Sequence, residues 1–247
     1  DAISDGTHAF VPAVMEHIEL AGVHSGDSAC ILPSLNISEK NVKLIKEYTK
    51  KIAEEMHVCG LMNIQYAIED DKVFVLEANP RASRTVPLVS KVCNIQMVQL
   101  ATEVITEELT GRPSPVPGLK ESKFHHYGVK EAVFPFNMFQ EVDTLLGPEM
   151  RSTGEVLGLA PNFGEAFYKA QEATQTPLPL KGTVLISVSD RDKPEVVQVA
   201  KGFYEDGFRI LATGRTCDMI QEAGIPAEKI KKLQEGRPNI MDAIANG

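Results

Sequence analysis

One short stretch, residues 61–84, holds the side chains best suited to chemistry. Glu77 and Asn79 are two residues apart in an apolar run, so on a β-strand both side chains point to the same face. Gln65, in the preceding apolar run, adds a further oxygen. A carboxylate with amide oxygens is a ligand set for a hard cation such as Mg²⁺, which binds through few carboxylates together with substrate phosphates.

Two arginines, Arg81 and Arg84, come directly after this strand. Guanidinium groups suit phosphate and anionic transition states because they are planar, permanently charged donors. The spacing therefore predicts a metal and phosphate site. The alternative that the spacing leaves open is an ordinary hairpin whose polar face is simply solvated.

The elements that must position these groups are two strands joined by a polar turn at residues 70–72. A three-residue turn is predicted, because a two-residue turn would scatter the apolar and polar sets over both faces. The predicted apolar face consists of Ile64, Tyr66, Ile68, Phe74, Leu76 and Ala78. The predicted polar face consists of Asn63, Gln65 and Ala67 against Val75, Glu77 and Asn79.

A second candidate for binding is the polar loop at residues 21–29, which follows a predicted strand at residues 11–19. Gly22 and Gly26 allow a ligand to approach the backbone closely. His24, Ser25 and Asp27 are its polar side chains, and they suit plain hydrogen bonding as well as ligand binding.

The remaining patterns alternate strands and helices and give an α/β fold class. Ser38 and Asn162 are predicted helix N-caps. Predicted strands cover residues 29–32, 127–136 and the end of 147–160, and predicted helices cover residues 38–56, 86–93, 95–109 and 162–173. Proline-rich stretches at residues 112–118 and 175–179 are predicted boundaries.

The pattern beyond residue 179 changes to that of a parallel α/β domain. Predicted strands at residues 183–188 and 209–212 alternate with predicted helices at residues 194–206 and 216–223. The loops after the two strands are candidate ligand sites, because open α/β sheets bind ligands at the carboxyl ends of their strands and helix N-termini favour phosphate. The short length of this part predicts an incomplete domain.

Composition excludes several classes of protein. The net charge of −9 argues against a general nucleic-acid binder, and no apolar run approaches the length of a membrane span. The first residues show no charged stretch followed by an apolar one, so no secretion is expected. The four cysteines form no C-x-x-C pair, which favours reduced thiols in a cytoplasmic protein.

Five motifs together resemble the carbamoyl phosphate synthase large subunit family, in its carboxy-terminal, carbamoyl-phosphate-forming half. The E-x-N-x-R core alone resembles the wider ATP-grasp group, and the other motifs narrow it. The ANPRASRT form of the site resembles bacterial rather than animal members. The motifs are MEHIELAGVHSGDSA (15–29), GLMNIQYA (60–67), VLEANPRASRTVPLVSK (75–91), LLGPEMRSTGEVLG (145–158) and EGRPNI (235–240).

The resemblance implies three parts and an ATP-dependent active site. Residues 1–106 would be the carboxy-terminal part of an ATP-grasp domain, residues 107–178 a connecting α/β segment, and residues 179–247 the first half of a methylglyoxal-synthase-like regulatory domain. Mg²⁺ or Mn²⁺ bridging the ATP phosphates would be held by Gln65, Glu77 and Asn79. The nucleotide would be bound by Gly22, Val23, His24, Ser25, Gln65 and Glu77. Arg81 and Arg84 would face the transferred phosphoryl group and the carbamate.

The resemblance also implies further ligands and a partner. A glutaminase subunit would deliver ammonia to the full enzyme. A monovalent cation such as K⁺ would be bound by His17, Glu19 and Ser25. Ornithine would contact Glu19, Asp27 and Glu131. A nucleotide effector would contact Ser187, Lys193, Thr213, Thr216 and Lys232, although Thr213 and Thr216 suit helix capping equally well.

Two other readings stay open. One is a non-catalytic module for effector binding or subunit assembly. The other is a different ATP-grasp enzyme, such as a biotin-dependent carboxylase, although the α/β unit after residue 179 speaks against it. Because no glycine-rich phosphate loop precedes the hairpin, we expect the 247 residues alone to be unable to turn over ATP.

Overall fold

The computed structural model describes residues 1–139, 141–176 and 178–246, and it divides into two compact units. The first unit ends at Leu178 and the second begins at Pro179. Pro177, in the predicted boundary at residues 175–179, lies outside the described residues. Each unit is a layered arrangement of helices on a sheet, so the predicted α/β fold class is confirmed.

The first unit contains eight strands, five α-helices and one short 3-10 helix (Val116–Gly118) among its described residues. The strands are β1 (Ala2–Asp5), β2 (Ala9–Phe10), β3 (Glu16–His17), β4 (Cys30–Leu32), β5 (Cys59–Glu69), β6 (Lys72–Asn79), β7 (Tyr127–Val133) and β8 (Gly154–Ala160). The helices are α1 (Glu39–Glu55), α2 (Val86–Val92), α3 (Met97–Ile105), α4 (Glu107–Thr110) and α5 (Phe163–Ala173).

These strands form two antiparallel sheets. The first has the strand order β2-β1-β5-β6 and the second has the order β3-β4-β7-β8. Helix α1 covers the first sheet through its buried face, which includes Ile45 and Ala53. Ser38 caps this helix by accepting a hydrogen bond from the Asn41 N–H, and Asn162 caps α5 in the same way, so both predicted N-caps are confirmed.

Helices α2 and α3 share one apolar core with strands of both sheets. That core joins Ile3 of β1, Leu32 of β4, Val89 of α2 and Met97 of α3. The approach of α2 to β7 is close enough that a Cβ on Gly128 would lie 2.2 Å from Val92 Cγ2, so this position requires glycine.

The second unit is a three-stranded parallel sheet with helices between its strands. Its elements are β9 (Thr183–Ile186), α6 (Lys193–Glu205), β10 (Arg209–Thr213), α7 (Gly214–Glu222), β11 (Glu228–Ile230) and α8 (Ile240–Asn246). Ile210, Val196 and Ile220 meet in its core. The predicted alternation of strand and helix is therefore confirmed.

Three predicted elements differ from the structure. The strand expected at residues 11–19 is reduced to β3, because Pro12 has no N–H to donate to a ladder. The helix expected at residues 95–109 is divided at Thr106 into α3 and α4. The strand expected at residues 127–136 ends at Val133, two residues before Pro135. Among the described residues, no helix has both the length and the apolar character that a membrane span requires.

Candidate functional site

The hairpin of β5 and β6 turns in two residues, so the predicted three-residue turn is wrong. Asp70 and Asp71 have φ values of 49° and 59°, and Glu69 pairs directly with Lys72. This is the left-handed conformation of a tight hairpin turn. It pairs Tyr66 with Val75 and Ala67 with Phe74, which corrects the predicted pairing near the turn.

A β-bulge at Leu76 restores the predicted pairing at the other end of the hairpin. The register shifts between Gln65 and Tyr66, and beyond the shift Gln65 pairs with Glu77 and Asn63 with Asn79. One extra residue in β6 makes up for the shorter turn. The carboxylate and the three amides are therefore neighbours on one face, as predicted.

The opposite face of β5 is turned to helix α1. The Tyr66 hydroxyl hydrogen-bonds the Thr49 hydroxyl at 2.8 Å, and Ile64 packs against the buried cluster around Ala53. Phe74 and Leu76 do not join this apolar face, and their side chains are 47% and 53% exposed. Their predicted place on it is wrong because the bulge reverses the alternation of β6.

The candidate metal ligands are available for binding. Within the described residues, the side chains of Gln65 and Glu77 form no hydrogen bond or ion pair, and the Asn79 Nδ2 amino group is buried without a hydrogen-bond partner. This amino group is a hydrogen-bond donor, so it indicates a place for an acceptor such as a phosphate oxygen and not for the cation itself. One carboxylate with amide oxygens fits a hard cation shared with phosphates. In the same residues, no cluster of three or more His, Cys, Asp and Glu side chains could hold a metal.

The two arginines lie in the loop that leaves β6. The Arg81 N–H donates to the Asn79 carbonyl at 2.8 Å, and its guanidinium donates to the Ala82 carbonyl at 3.0 Å. Arg84 forms an ion pair of 3.3 Å with Glu155 of β8. Both arginine side chains are exposed, and Arg84 also bridges the loop to the second sheet.

Asp1 is a hydrogen-bonding centre that the sequence did not indicate. Its carboxylate accepts from Asn63 Nδ2 at 3.1 Å, from the Ser83 hydroxyl at 2.6 Å and from the Thr85 hydroxyl at 2.5 Å. Ser83 and Thr85 flank Arg84 in the chain. The only feature of the sequence that could have indicated this centre is the pair of hydroxyl residues, Ser83 and Thr85, on either side of Arg84.

The loop at residues 21–29 is hydrogen-bonded to the segment at residues 147–152, which leads into β8. The Asp27 side chain is 1% exposed and accepts from the N–H groups of Arg151 and Ser152 at 2.7 and 2.9 Å. The His24 N–H donates to the Gly147 carbonyl at 2.8 Å. Asp27, predicted as an ornithine contact, is thus engaged in holding two segments together. The predicted nucleotide residues are distributed over this loop and the hairpin.

Lys130 is a buried cation that no motif indicated. Its side chain is 2% exposed, and its Nζ donates to the carbonyls of Ser25 and Gly26 at 3.4 and 3.3 Å. Burial, and after it the charge of Lys130, lowers the pKa of His17 to about 4. Glu19 accepts from the Ala29 N–H at 2.7 Å. The structure thus brings the predicted K⁺ ligands into the region of a lysine ammonium.

Glu131 lies on β7 next to Lys130 and contacts helix α5. Its carboxylate accepts from Gln171 Nε2 at 2.8 Å. Burial raises the pKa of this carboxyl, and the charge of Glu19 acts in the same direction. Glu19 and Glu131, both predicted ornithine contacts, are therefore close enough to interact electrostatically.

The predicted effector residues of the second unit gather at the carboxyl edge of its sheet. The Thr213 hydroxyl donates to the Ser187 hydroxyl at 2.9 Å, and its side chain does not cap α7. Lys193 is ion-paired with Asp190. Hydrogen bonding by Lys193 is the largest cause that lowers the pKa of Asp190, and the charges of Arg215 and Lys232 add to it. Thr216 is buried at the first turn of α7.

Two family models match the chain. Residues 3–109 match the model described as "Carbamoyl-phosphate synthase L chain, ATP binding domain", and residues 195–247 match the model described as "MGS-like domain". The first match runs from β1 to α4 and therefore includes the hairpin of β5 and β6. The second covers the unit with the parallel sheet from α6 onward.

Several proteins are similar to the chain throughout its length. The carbamoyl phosphate synthase large chain of Archaeoglobus fulgidus is 51% identical over 249 residues, which are all of this chain and 23% of that protein. The "Carbamoyl phosphate synthase large chain, C-terminal section" of Aquifex aeolicus is 46% identical over 260 residues, covering all of this chain and 48% of that protein. The chain spans from about a quarter to about half of the length of such relatives.

A solved structure shares the fold. The Kluyveromyces lactis urea carboxylase matches with a TM-score of 0.55 and 10% identity, over 70% of this chain and 17% of that one. At this identity the likeness concerns the fold alone.

Proposed function

Because the relatives that match the whole chain are carbamoyl phosphate synthase large chains, we propose that this chain belongs to their family and that its first unit forms part of an ATP-dependent ligase site that phosphorylates carbamate. The observation that carries this proposal is the pairing of Gln65 with Glu77, beside the pairing of Asn63 with Asn79. These groups point away from α1 and lead directly into the arginine loop.

The reaction is attack of a carbamate oxygen on the γ-phosphorus of ATP. A new oxygen–phosphorus bond forms, the bond from the γ-phosphorus to the bridging oxygen breaks, and ADP leaves with its electron pair. The chain's own groups contribute positioning and charge neutralisation rather than covalent chemistry. Arg81 and Arg84 bind the transferred group and the carbamate, because a guanidinium donates two parallel hydrogen bonds to such anions.

The hairpin residues would hold the divalent cation of this reaction. A bound Mg²⁺ or Mn²⁺ supplies neutralisation of charge on the ATP phosphates. Glu77 and the amide oxygens of Gln65 and Asn79 would be its ligands, which is supported by their place on one face of the hairpin. Gly22, Val23, His24 and Ser25 contribute to binding of the nucleotide. The Lys130 ammonium, which donates to the Ser25 carbonyl, supplies positive charge in the region where the resemblance implies a K⁺ ion beside His17, Glu19 and Ser25.

A glutaminase subunit is the proposed partner, and the cytoplasm the proposed location. The four cysteines are free thiols, which is typical of proteins in a reducing compartment. A biotin-dependent carboxylase is the weaker reading, because the relatives that match the whole chain are carbamoyl phosphate synthase large chains.

The decisive experiment is Glu77→Gln in a full-length large chain that carries this segment. We expect loss of the carboxylate to reduce carbamate phosphorylation by about a hundredfold or more, since it removes charge from a site built on charge neutralisation. The activity is measured in the reverse direction, as ATP formed from carbamoyl phosphate and ADP, because the same site catalyses both directions. Glu69→Gln is the matched control, because Glu69 lies exposed on the other strand of the same hairpin, at the turn end of β5 and away from the candidate ligands. Equal activity of the two variants would refute the proposal.

The second unit is proposed to bind an anionic effector. The observation in its favour is that Ser187, Lys193, Thr213 and Lys232 follow or begin elements at one edge of a parallel sheet, where phosphate binding is common. Calorimetric titration with UMP and IMP, without Mg²⁺ or ATP, tests this role. Binding that Lys193→Gln leaves unchanged would contradict it. Ornithine, titrated separately, tests Glu19, Asp27 and Glu131.

A further inference from the structure

The three groups bound to Asp1 come from two separate segments of the proposed active site. Asn63 belongs to β5, next to Gln65 in the row of candidate ligands. Ser83 and Thr85 belong to the loop after β6, where they enclose Arg84 in the chain. The Asp1 carboxylate therefore connects strand β5 to the loop that carries Arg84.

The sheet register explains why Asp1 can reach all three groups. Ala2 pairs with Met62 across β1 and β5, so the next position along each strand brings Asp1 beside Asn63. Asn63 in turn pairs with Asn79. Asp1, Asn63 and Asn79 thus form one row across three adjacent strands, and the loop that follows Asn79 returns to the Asp1 end of this row.

Both oxygens of the Asp1 carboxylate are occupied by these hydrogen bonds. Asp1 Oδ1 accepts from Asn63 and Ser83, and Asp1 Oδ2 accepts from Thr85. The Ser83 hydroxyl oxygen also accepts from the Thr85 N–H at 3.2 Å, while both hydroxyls direct their single protons to Asp1. Hydrogen bonds to a carboxylate are stronger than neutral ones, so this network constrains the backbone on both sides of Arg84.

The Asn63 contact has a second consequence. Because Asp1 holds the Nδ2 amino group of Asn63, the Asn63 carbonyl oxygen is the part of the amide left for other partners. Asp1 therefore sets the orientation of an amide in the ligand row as well as the position of the arginine loop.

We propose that Asp1 is a positioning residue that holds the loop at residues 83–85, and with it the Arg84 backbone, against the ligand row of β5 and β6. This inference rests on the proposed function of the site. Asp1 acts through Arg84 and Asn63, because its oxygens are occupied by donors from the chain. A displacement of about 1 Å in such a group costs up to about a hundredfold in rate.

The test is Asp1→Asn in a full-length large chain that carries this segment. An asparagine lacks the charge and presents one oxygen in place of two, so it cannot satisfy all three donors. We expect kcat for carbamate phosphorylation to fall by about tenfold or more, with a smaller change in KM for ATP. The paired substitution Ser83→Ala with Thr85→Val removes two of the donors and should reproduce this loss.

Asp5→Asn is the matched control, because Asp5 lies at the other end of β1 and also accepts from three donors. These donors are the Ser114 hydroxyl and the N–H groups of Thr7 and His8. We expect this variant to lower the unfolding midpoint to a similar degree and to change kcat less than about twofold. If Asp1→Asn and Asp5→Asn change kcat equally, Asp1 has only a structural role and the inference is wrong.

A double-mutant cycle separates positioning from general damage. Once Arg84→Ala is present, Asp1→Asn should cause a clearly smaller loss of kcat than in the unmodified chain, because the part of its effect that passes through Arg84 is already lost. Full additivity of the two losses would overturn the inference. Hydrogen–deuterium exchange of a peptide spanning residues 80–88 gives a readout without activity. Exchange there should rise in Asp1→Asn and stay unchanged in Asp5→Asn.

Failure of this inference is distinguishable from failure of the proposed function. If Glu77→Gln retains full activity, the hairpin is not the ligase site and the function is wrong. If Glu77→Gln is inactive while Asp1→Asn keeps its kcat and its exchange pattern, the function stands and the role of Asp1 is refuted.

Discussion

The four thiols of the chain differ in their accessibility, and this difference predicts their reactivity. Cys59 is exposed and lines an open cleft of about 820 Å³, at the end of the β1–β5 pair opposite to Asp1. Cys30, Cys93 and Cys217 are buried. Burial raises the pKa of Cys30 to about 12 and that of Cys93 to about 11, so both remain protonated near neutral pH.

We therefore expect a thiol reagent such as DTNB to titrate one cysteine in the native chain and four in denaturant. The Cys59→Ser variant should show no rapid reaction in the native state and three thiols after unfolding. Rapid reaction of a second thiol in the native chain would contradict the burial of the other cysteines.

Residue types in motifs predicted the candidate ligands, but not the groups that hold them. Glu77, Gln65 and Arg84 lie in short motifs whose residue types and spacing indicate their chemistry. Asp1 and Lys130 do not, because their partners lie 62 to 84 and 104 to 105 residues away. Such contacts depend on strand order and helix packing, which a single sequence does not specify.

Among the elements, β1 makes a prediction about acid stability. The Asp5 carboxylate is buried, which opposes its ionisation, but hydrogen bonds from Ser114, His8 and Thr7 outweigh burial and lower its pKa below the ordinary value of 3.8. A group whose pKa is lowered by folding contributes stability above its unfolded pKa, and this contribution is lost as the pH falls towards the folded pKa.

Asp5→Asn should therefore destabilise the chain by about 1 kcal/mol at pH 7, and the difference should shrink below about pH 4. Urea unfolding of both proteins between pH 3 and pH 7 measures it. A difference that stays constant over this range would mean that the loss comes from packing and not from the charge of Asp5.

The hairpin shows where sequence reasoning about elements succeeds and where it ends. Alternation of apolar and polar residues predicted both strands and the pairing of Gln65 with Glu77. It did not predict the two-residue turn, since such a turn gives this pairing only with an additional bulge at Leu76. Bulges have no compositional signature, whereas the caps at Ser38 and Asn162 have one and were predicted.

At the scale of the whole molecule, the hairpin face that carries Glu77 is open. Glu77, Phe74 and Leu76 are exposed in the part of the chain that the structure describes. Phosphoryl transfer to carbamate requires a site from which water is excluded. The chain also spans only 23% of the Archaeoglobus fulgidus large chain.

We expect the 247 residues alone to show no metal-dependent release of ADP above the background rate. A coupled ADP assay with Mg²⁺, ATP and bicarbonate, with and without ammonia, measures this. Turnover that Glu77→Gln abolishes would show instead that the described elements suffice for chemistry.

The position of β6 has a further consequence for the chain in solution. Within the described residues, β6 is the last strand of its sheet, and its residues 73–76 read Val-Phe-Val-Leu. An unpaired strand edge with exposed apolar side chains is a template on which strands of other molecules add, as in amyloid growth. Lys72 and Glu77, which bracket this segment, act as gatekeeper charges that oppose such stacking. A residue that binds a metal in the proposed enzyme thus also protects the chain from aggregation, and neutralising it would carry a cost in solubility.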